Sequence, residues 1–64
     1  MPKINGVDQD FTGRTLSDCL AALGYDLKRV AVERNGEIVP KSRYGSVVLA
    51  EDDSLEIVSF VGGG

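Results

Sequence analysis

Thr15-Leu16-Ser17-Asp18-Cys19-Leu20-Ala21-Ala22-Leu23-Gly24 decides the fold, because it is the one stretch of the 64 residues that reads as a helix of two turns or more. Leu16, Cys19, Leu20 and Leu23 fall at i, i+3, i+4 and i+7, a single apolar face. Ala21 and Ala22 favour the helical backbone. Thr15 and Asp18 have the spacing of a capping box, in which hydroxyl and acid satisfy orphan amides reciprocally. Gly24 stands where a helix end wants a left-handed residue. A lone helix with one apolar face can cover one side of a sheet and no more.

Working outward, the flanking segments read as strands. Met1 to Ile4 is followed by Asn5-Gly6, a pair that tolerates the positive φ of a two-residue hairpin, and Val7 to Phe11 reads as the returning strand. Beyond the helix, Val30 to Arg34 and Glu37 to Val39 flank a second Asn-Gly pair at Asn35-Gly36, and Pro40 ends that hairpin because it cannot donate to a ladder. Val47-Val48-Leu49 is a further short apolar element. Glu51-Asp52-Asp53 reads as an exposed, solvated acidic turn, and Ser54 to Phe60 begins with the alternation of a strand, Leu55 and Ile57 facing one way.

This order makes the chain α+β: a mixed sheet with one main helix packed on one face. The first and last strands lie parallel in its centre, and the helical segment provides the long crossover that parallel pairing needs. That is the β-grasp, or ubiquitin-like, layout. Residues 1–60 form the domain, and residues 61–64 a flexible, reactive C-terminal tail. The expected core is Ile4, Phe11, Leu16, Cys19, Leu20, Leu23, Val30, Val32, Leu49, Leu55 and Ile57. A domain of this size buries only about 60% of its unfolded surface and has little volume for an enclosed substrate cavity.

The same composition excludes most chemistry. There is no His, so no ordinary proton relay; one Cys gives neither a zinc site nor an internal disulfide; and no phosphate-binding glycine motif lies between a strand and a helix. The chain therefore lacks the parts of an enzyme acting alone and has no metal site. Its net charge of −3 argues against nucleic acid and fits docking on basic protein surfaces, or simply solubility. The apolar runs are too short for a membrane span, no secretory signal is visible, and a disulfide-free domain this small belongs in the cytoplasm. It is expected to be a monomer when free. Cys19 could be a nucleophile or sulfur carrier, but its place on the leucine face favours packing.

The end of the chain stands apart. Phe60-Val61 runs into Gly62-Gly63-Gly64. This could be a frayed terminus. It could also be a working group, since glycines can thread a narrow channel and leave the terminal carbonyl open to attack. Four extended residues reach about 13–14 Å beyond Phe60. A carboxylate must first be activated, commonly by adenylation with ATP. The chain shows no ATP motif, so a separate activating enzyme is needed.

Val30-Ala31-Val32-Glu33-Arg34-Asn35-Gly36-Glu37-Ile38-Val39-Pro40 resembles the central hairpin of the ThiS family of sulfur carrier proteins. The stretch from Leu55 to Gly64 resembles that family's last strand and tail, and Gly24-Tyr25 after a Thr-capped leucine helix is similar too. The resemblance implies a β-grasp fold and a part in forming the thiazole ring of thiamin. It implies that the Gly64 carboxylate is adenylated by a ThiF-type enzyme using ATP and magnesium, with no cofactor bound by the chain itself. Sulfur from a persulfide-bearing protein then makes a thiocarboxylate, which delivers it to the thiazole synthase ThiG. Gly62 and Gly63 would line the approach to partner active sites. Asp52 and Lys41 depart from the usual family residues without touching the tail.

If Leu55 and Ile57 point inward, Val58 and Phe60 emerge on the other face and with Val61 would form a partner-docking patch. The alternative is that neighbouring segments cover them. Three other functions stay open: the small subunit of molybdopterin synthase, an inert ubiquitin-like binding module, and a modifier joined to target lysines.

Overall fold

The computed structural model describes residues 1–60. The expectations for Val61, Gly62, Gly63 and Gly64 lie outside the described residues.

Turn chemistry sets both hairpins. β1 (Lys3–Ile4) and β2 (Val7–Asp8) are joined through Asn5 and Gly6 at φ 51° and 83°, and β3 (Val30–Arg34) and β4 (Glu37–Ile38) through Asn35 and Gly36 at 52° and 85°. Two successive positive φ values give the turn whose twist matches that of the strands it connects. Between the hairpins lie α1 (Leu16–Ala22) and a 3₁₀ turn at Leu27–Arg29. A second 3₁₀ turn at Lys41–Arg43 precedes β5 (Ser54–Ser59). The strand order is β2-β1-β5-β3-β4, with β5 central, parallel to β1 and antiparallel to β3. This is the expected mixed sheet.

The helix ends follow the residues present. The Thr15 hydroxyl accepts the Asp18 amide at 3.2 Å. Among the described residues only this half of the capping box forms: the Asp18 carboxylate makes no return bond to Thr15. At the far end Gly24, at φ 84°, lets its own amide reach the Ala21 carbonyl and the Tyr25 amide reach that of Leu20. These two bonds form a Schellman motif, which satisfies carbonyls the helix leaves over.

Leu16, Cys19 and Leu20 press onto Ile4, Val30, Val32, Leu55 and Ile57 to make the core, with Phe11 and Leu49 closing its ends. Each large side chain buried there contributes about 1.5–3 kcal/mol. Leu23 is half-buried at the margin rather than within. Val39 and Tyr44 are buried although the sequence reading left them out. Tyr44 comes from the loop after the second 3₁₀ turn and directs its hydroxyl toward the Val30 carbonyl at 3.4 Å.

Three expectations are corrected. The returning strand does not run from Val7 to Phe11: β2 stops at Asp8. The Gln9 amide still donates to the Pro2 carbonyl at 3.0 Å, but Pro2 has no N–H to return the bond, so the ladder ends. Val47-Val48-Leu49 forms only a bridge between Val48 and Thr15, pinning the helix start through bonds from Leu16 to Val47 and from Leu49 to Arg14. The acidic turn is not uniformly solvated: Asp53 is only 6% exposed.

Candidate functional site

The strand that leads toward the chain end is the middle of the sheet, and both of its neighbours grip it with asparagine side chains. The Asn5 amide nitrogen donates to the Ile57 carbonyl at 3.2 Å while its oxygen accepts the Ile57 amide at 2.7 Å. The Asn5 backbone amide donates to the Leu55 carbonyl at 2.9 Å. One side chain thus imitates a strand residue and prolongs the short β1 ladder along β5. A carboxylate there could accept but not donate. From the other flank the Asn35 oxygen accepts the Ser54 amide at 2.9 Å, and its backbone amide donates to the Ser54 carbonyl at 2.8 Å. The sequence reading gave these residues turn chemistry and no direct role. The signal available was the choice of Asn at a left-handed position, but nothing local shows what its amide will meet.

Asn35 also belongs to a partly buried polar hub centred on Asp53. Its amide nitrogen donates to Asp53 Oδ1 at 3.0 Å, while Asp53 Oδ2 accepts the Ala50 amide at 2.8 Å and the Arg34 guanidinium at 2.9 and 3.0 Å. Burial alone would push the Asp53 carboxyl up; the Ala50 amide, Asn35 and Arg34 together hold it below the ordinary aspartate range. The hub fixes the turn from which β5 starts.

At its other end β5 remains in register, Ser59 opposite Val30 and Val58 opposite Ala31, and the Phe60 amide donates to the Arg29 carbonyl at 2.7 Å. The ladder therefore guides the chain up to Phe60. Leu55 and Ile57 are buried as expected, while Val58 and Phe60 are 56% and 57% exposed on the side away from the helix. Among the described residues no neighbouring strand or loop covers them. On that same face Glu33 stands directly opposite Glu56. Val61 and the three glycines, which the sequence reading assigned to docking, threading and attachment, lie outside the described residues.

The remaining candidates are quiet. Cys19 is fully buried, and that burial raises its thiol pKa, with Arg14 opposing only in part, so it packs as a neutral apolar group. Among the described residues no group of three or more His, Cys, Asp or Glu side chains could hold a metal ion, and no helix is long and apolar enough to cross a membrane. An open groove is lined by Arg34, Asn35, Glu37, Ile38 and Pro40, on the β3–β4 hairpin rather than at the end of β5.

Comparison with known proteins agrees with this geometry. Residues 3–64 match the model of the ThiS family. The chain is 48% identical over 67 aligned positions to the sulfur carrier protein ThiS of Bacillus subtilis, with 100% of both chains covered. It is 52% identical over 62 residues to a thiazole synthase of Paramagnetospirillum magneticum, covering 95% of this chain but 19% of that protein. A second thiazole synthase, from Magnetococcus marinus, is matched over 16% of its length, so the chain spans less than a fifth of these two relatives. In three dimensions it resembles the crystal structure of the thiamine biosynthesis protein ThiS of Geobacter metallireducens, with a TM-score of 0.76 at 25% identity, covering 98% of this chain and 97% of that one. A central hairpin of the expected sequence, a β-grasp sheet with its last strand in the middle, and a family match across nearly every residue lead to one conclusion: the chain belongs to the ThiS family, the ubiquitin-like sulfur carriers of thiamin biosynthesis.

Proposed function

We propose that the chain carries sulfur as a thiocarboxylate on Gly64. Its carboxylate attacks the α-phosphate of ATP in the site of a ThiF-type enzyme, with magnesium held there, giving an acyl-adenylate and pyrophosphate. The terminal sulfur of a persulfide-bearing protein displaces AMP to give an acyl disulfide. A thiol then attacks the donor's sulfur, breaking the S–S bond and forming a new disulfide with the donor. The thiocarboxylate so released donates sulfur to a ThiG-type thiazole synthase. The chain is a co-substrate in this scheme and works in the cytoplasm. Gly62 and Gly63 give the last residues the slimness to enter a narrow site, having no Cβ. Val58, Phe60 and Val61 dock the body at its mouth.

The observation that carries the reading is the family match through residue 64, joined to a central strand that runs in register as far as Phe60. Identity to a curated sulfur carrier over its full length supports the chemistry, and identity to part of two thiazole synthases supports the partner. The test is the intact mass of the chain incubated with ATP, magnesium, the adenylating enzyme, a persulfide donor and a thiol reductant. The expected product has one oxygen replaced by sulfur, mapped to Gly64. An unchanged mass, or sulfur found on Cys19 instead, refutes the reading.

A further inference from the structure

The chain is acidic overall, yet its charges are not evenly spread along β5. Glu51, Asp52 and Asp53 lead into the start of that strand. At its other end stand three cations. Arg29 lies beside the exit, its carbonyl accepting the Phe60 amide, and its side chain is 60% exposed. Lys28 is its exposed neighbour in the same 3₁₀ turn. Lys41, from the second 3₁₀ turn, is tied to this place because its ammonium donates to the Lys28 carbonyl at 2.7 Å. Among the described residues neither Lys28 nor Lys41 has a carboxylate within salt-bridge distance. Asp26, 3.7 Å from Arg29, offsets one of the three charges and leaves a positive excess.

Six residues of strand separate these two ends by about 17 Å. The screening length at physiological salt is about 8 Å. A large partner approaching the exit therefore feels the cations there more than the acids at the far end, although the whole molecule carries −3. Glu33 and Glu56, midway along the open face, lie about 10 Å from Ser59, just beyond one screening length. Val58 and Phe60 lie beside that end on the open face and supply short-range apolar contact after the encounter.

We propose that Lys28, Arg29 and Lys41 form a basic collar that steers the chain, exit end first, onto an acidic rim around the mouth of the adenylating enzyme's site. The inference rests on the reading of Gly64 given above. The occupant is a protein surface bearing carboxylates: charge complementarity selects it, and the collar lies beside Phe60, from which the reading sends the chain into another protein. Oriented attraction of this kind raises the association rate and leaves the chemical step alone.

Stopped-flow association of the full chain with the adenylating enzyme, at low and high ionic strength, tests the collar. Lys28→Glu combined with Arg29→Glu should slow association roughly tenfold or more at low salt, with the difference fading at high salt. The rate of adenylation at saturating carrier should not change. Lys3→Glu, at the far end of β5, should have a much smaller effect per unit of charge reversed. Should the reversed pair unfold, which urea titration reports, Lys28→Gln with Arg29→Gln gives the same direction at smaller amplitude. Slowing by Lys3→Glu as large, per unit of charge reversed, as that by the pair would mean that net charge alone acts, and overturns the collar. So would unchanged association, or an effect confined to the KM for ATP, which would place the cations on nucleotide phosphates. If the wild-type chain binds the enzyme at no salt concentration, the reading of Gly64 fails and the collar with it. Binding that ignores the collar leaves that reading intact.

Discussion

Replacing Asp53 with Asn tests how far one buried carboxylate sets the geometry of β5. The substitution keeps the shape but removes the charge and turns one acceptor oxygen into a donor nitrogen. Oδ2 must still receive the Ala50 amide and two guanidinium nitrogens, so the new amide nitrogen takes the place of Oδ1. There it meets the Asn35 amide nitrogen at 3.0 Å, donor against donor. Asn35 cannot simply turn over, since its oxygen is held by the Ser54 amide. A lost hydrogen bond to a charged group at a part-buried site, with two donors left facing each other, costs about 1–2 kcal/mol. The Arg34 side chain is 35% exposed, so solvent screening keeps its ion pair at the small end of such contributions. A domain of this length has about 3–10 kcal/mol in total, so the variant should lose a large share of its stability.

The assay is urea unfolding at neutral and at acidic pH, with the slope checked for constancy. The wild-type carboxyl is depressed in the folded state relative to its ordinary value of 3.8. Its contribution is therefore complete above that value and is lost as pH falls through it toward the lower folded one. The variant has no such group, so the two stabilities should converge under strong acid. A penalty below about 0.5 kcal/mol at neutral pH, where ordinary surface substitutions lie, would refute the hub. So would a penalty that is the same at both pH values.

Asn5→Ala removes both side-chain bonds to Ile57 and should cost about 1–2 kcal/mol by the same unfolding measurement. Hydrogen exchange should show the Ile57 amide losing protection more than that of Val32 on the opposite flank. Val58→Asp should leave the unfolding midpoint nearly unchanged, because the side chain is more than half exposed, yet weaken binding to the adenylating enzyme, read by calorimetry. Unaltered affinity would remove Val58 from the docking surface. Cys19 should react with iodoacetamide only after denaturation, in step with global unfolding, and rapid alkylation of the folded chain would contradict its burial.

The helix was legible because its signal is local: Leu16, Cys19 and Leu20 repeat at helical spacing and all reach the core. The hairpins were legible because Asn-Gly carries its own backbone preference, and both pairs take positive φ. Alternation in β5 correctly divided Leu55 and Ile57 from Val58. The length of β2 was misjudged although Pro2, with no amide proton, already limited its partner. Other features depend on distant sequence. Asp53 sits in what reads as a solvated acidic run, and it is buried because Arg34 and Asn35, 19 and 18 residues away, supply its donors. The Asn5 amide finds its partner 52 residues along the chain. Tyr44 swings in from a loop with no periodicity to announce it. At the candidate site, the face on which Val58 and Phe60 emerge was legible from pleat, but their exposure there depends on how distant segments fold. The collar was not, because two separate 3₁₀ turns have to bring Lys28 and Lys41 together.

Placing the final strand in the middle of the sheet has a consequence for synthesis. Among the described residues β1 has no ladder partners except β2 and β5, and the β3–β4 hairpin joins the rest of the sheet only through β5. A nascent chain halted before Ser54 possesses two disconnected hairpins and a helix with little to cover, each marginal in water. Closure must wait for contacts between β1 and β5, about 50 residues apart in the sequence, which slows folding relative to a locally wired domain. Copies that stop short of β5 thus have no stable body and lie open to proteases.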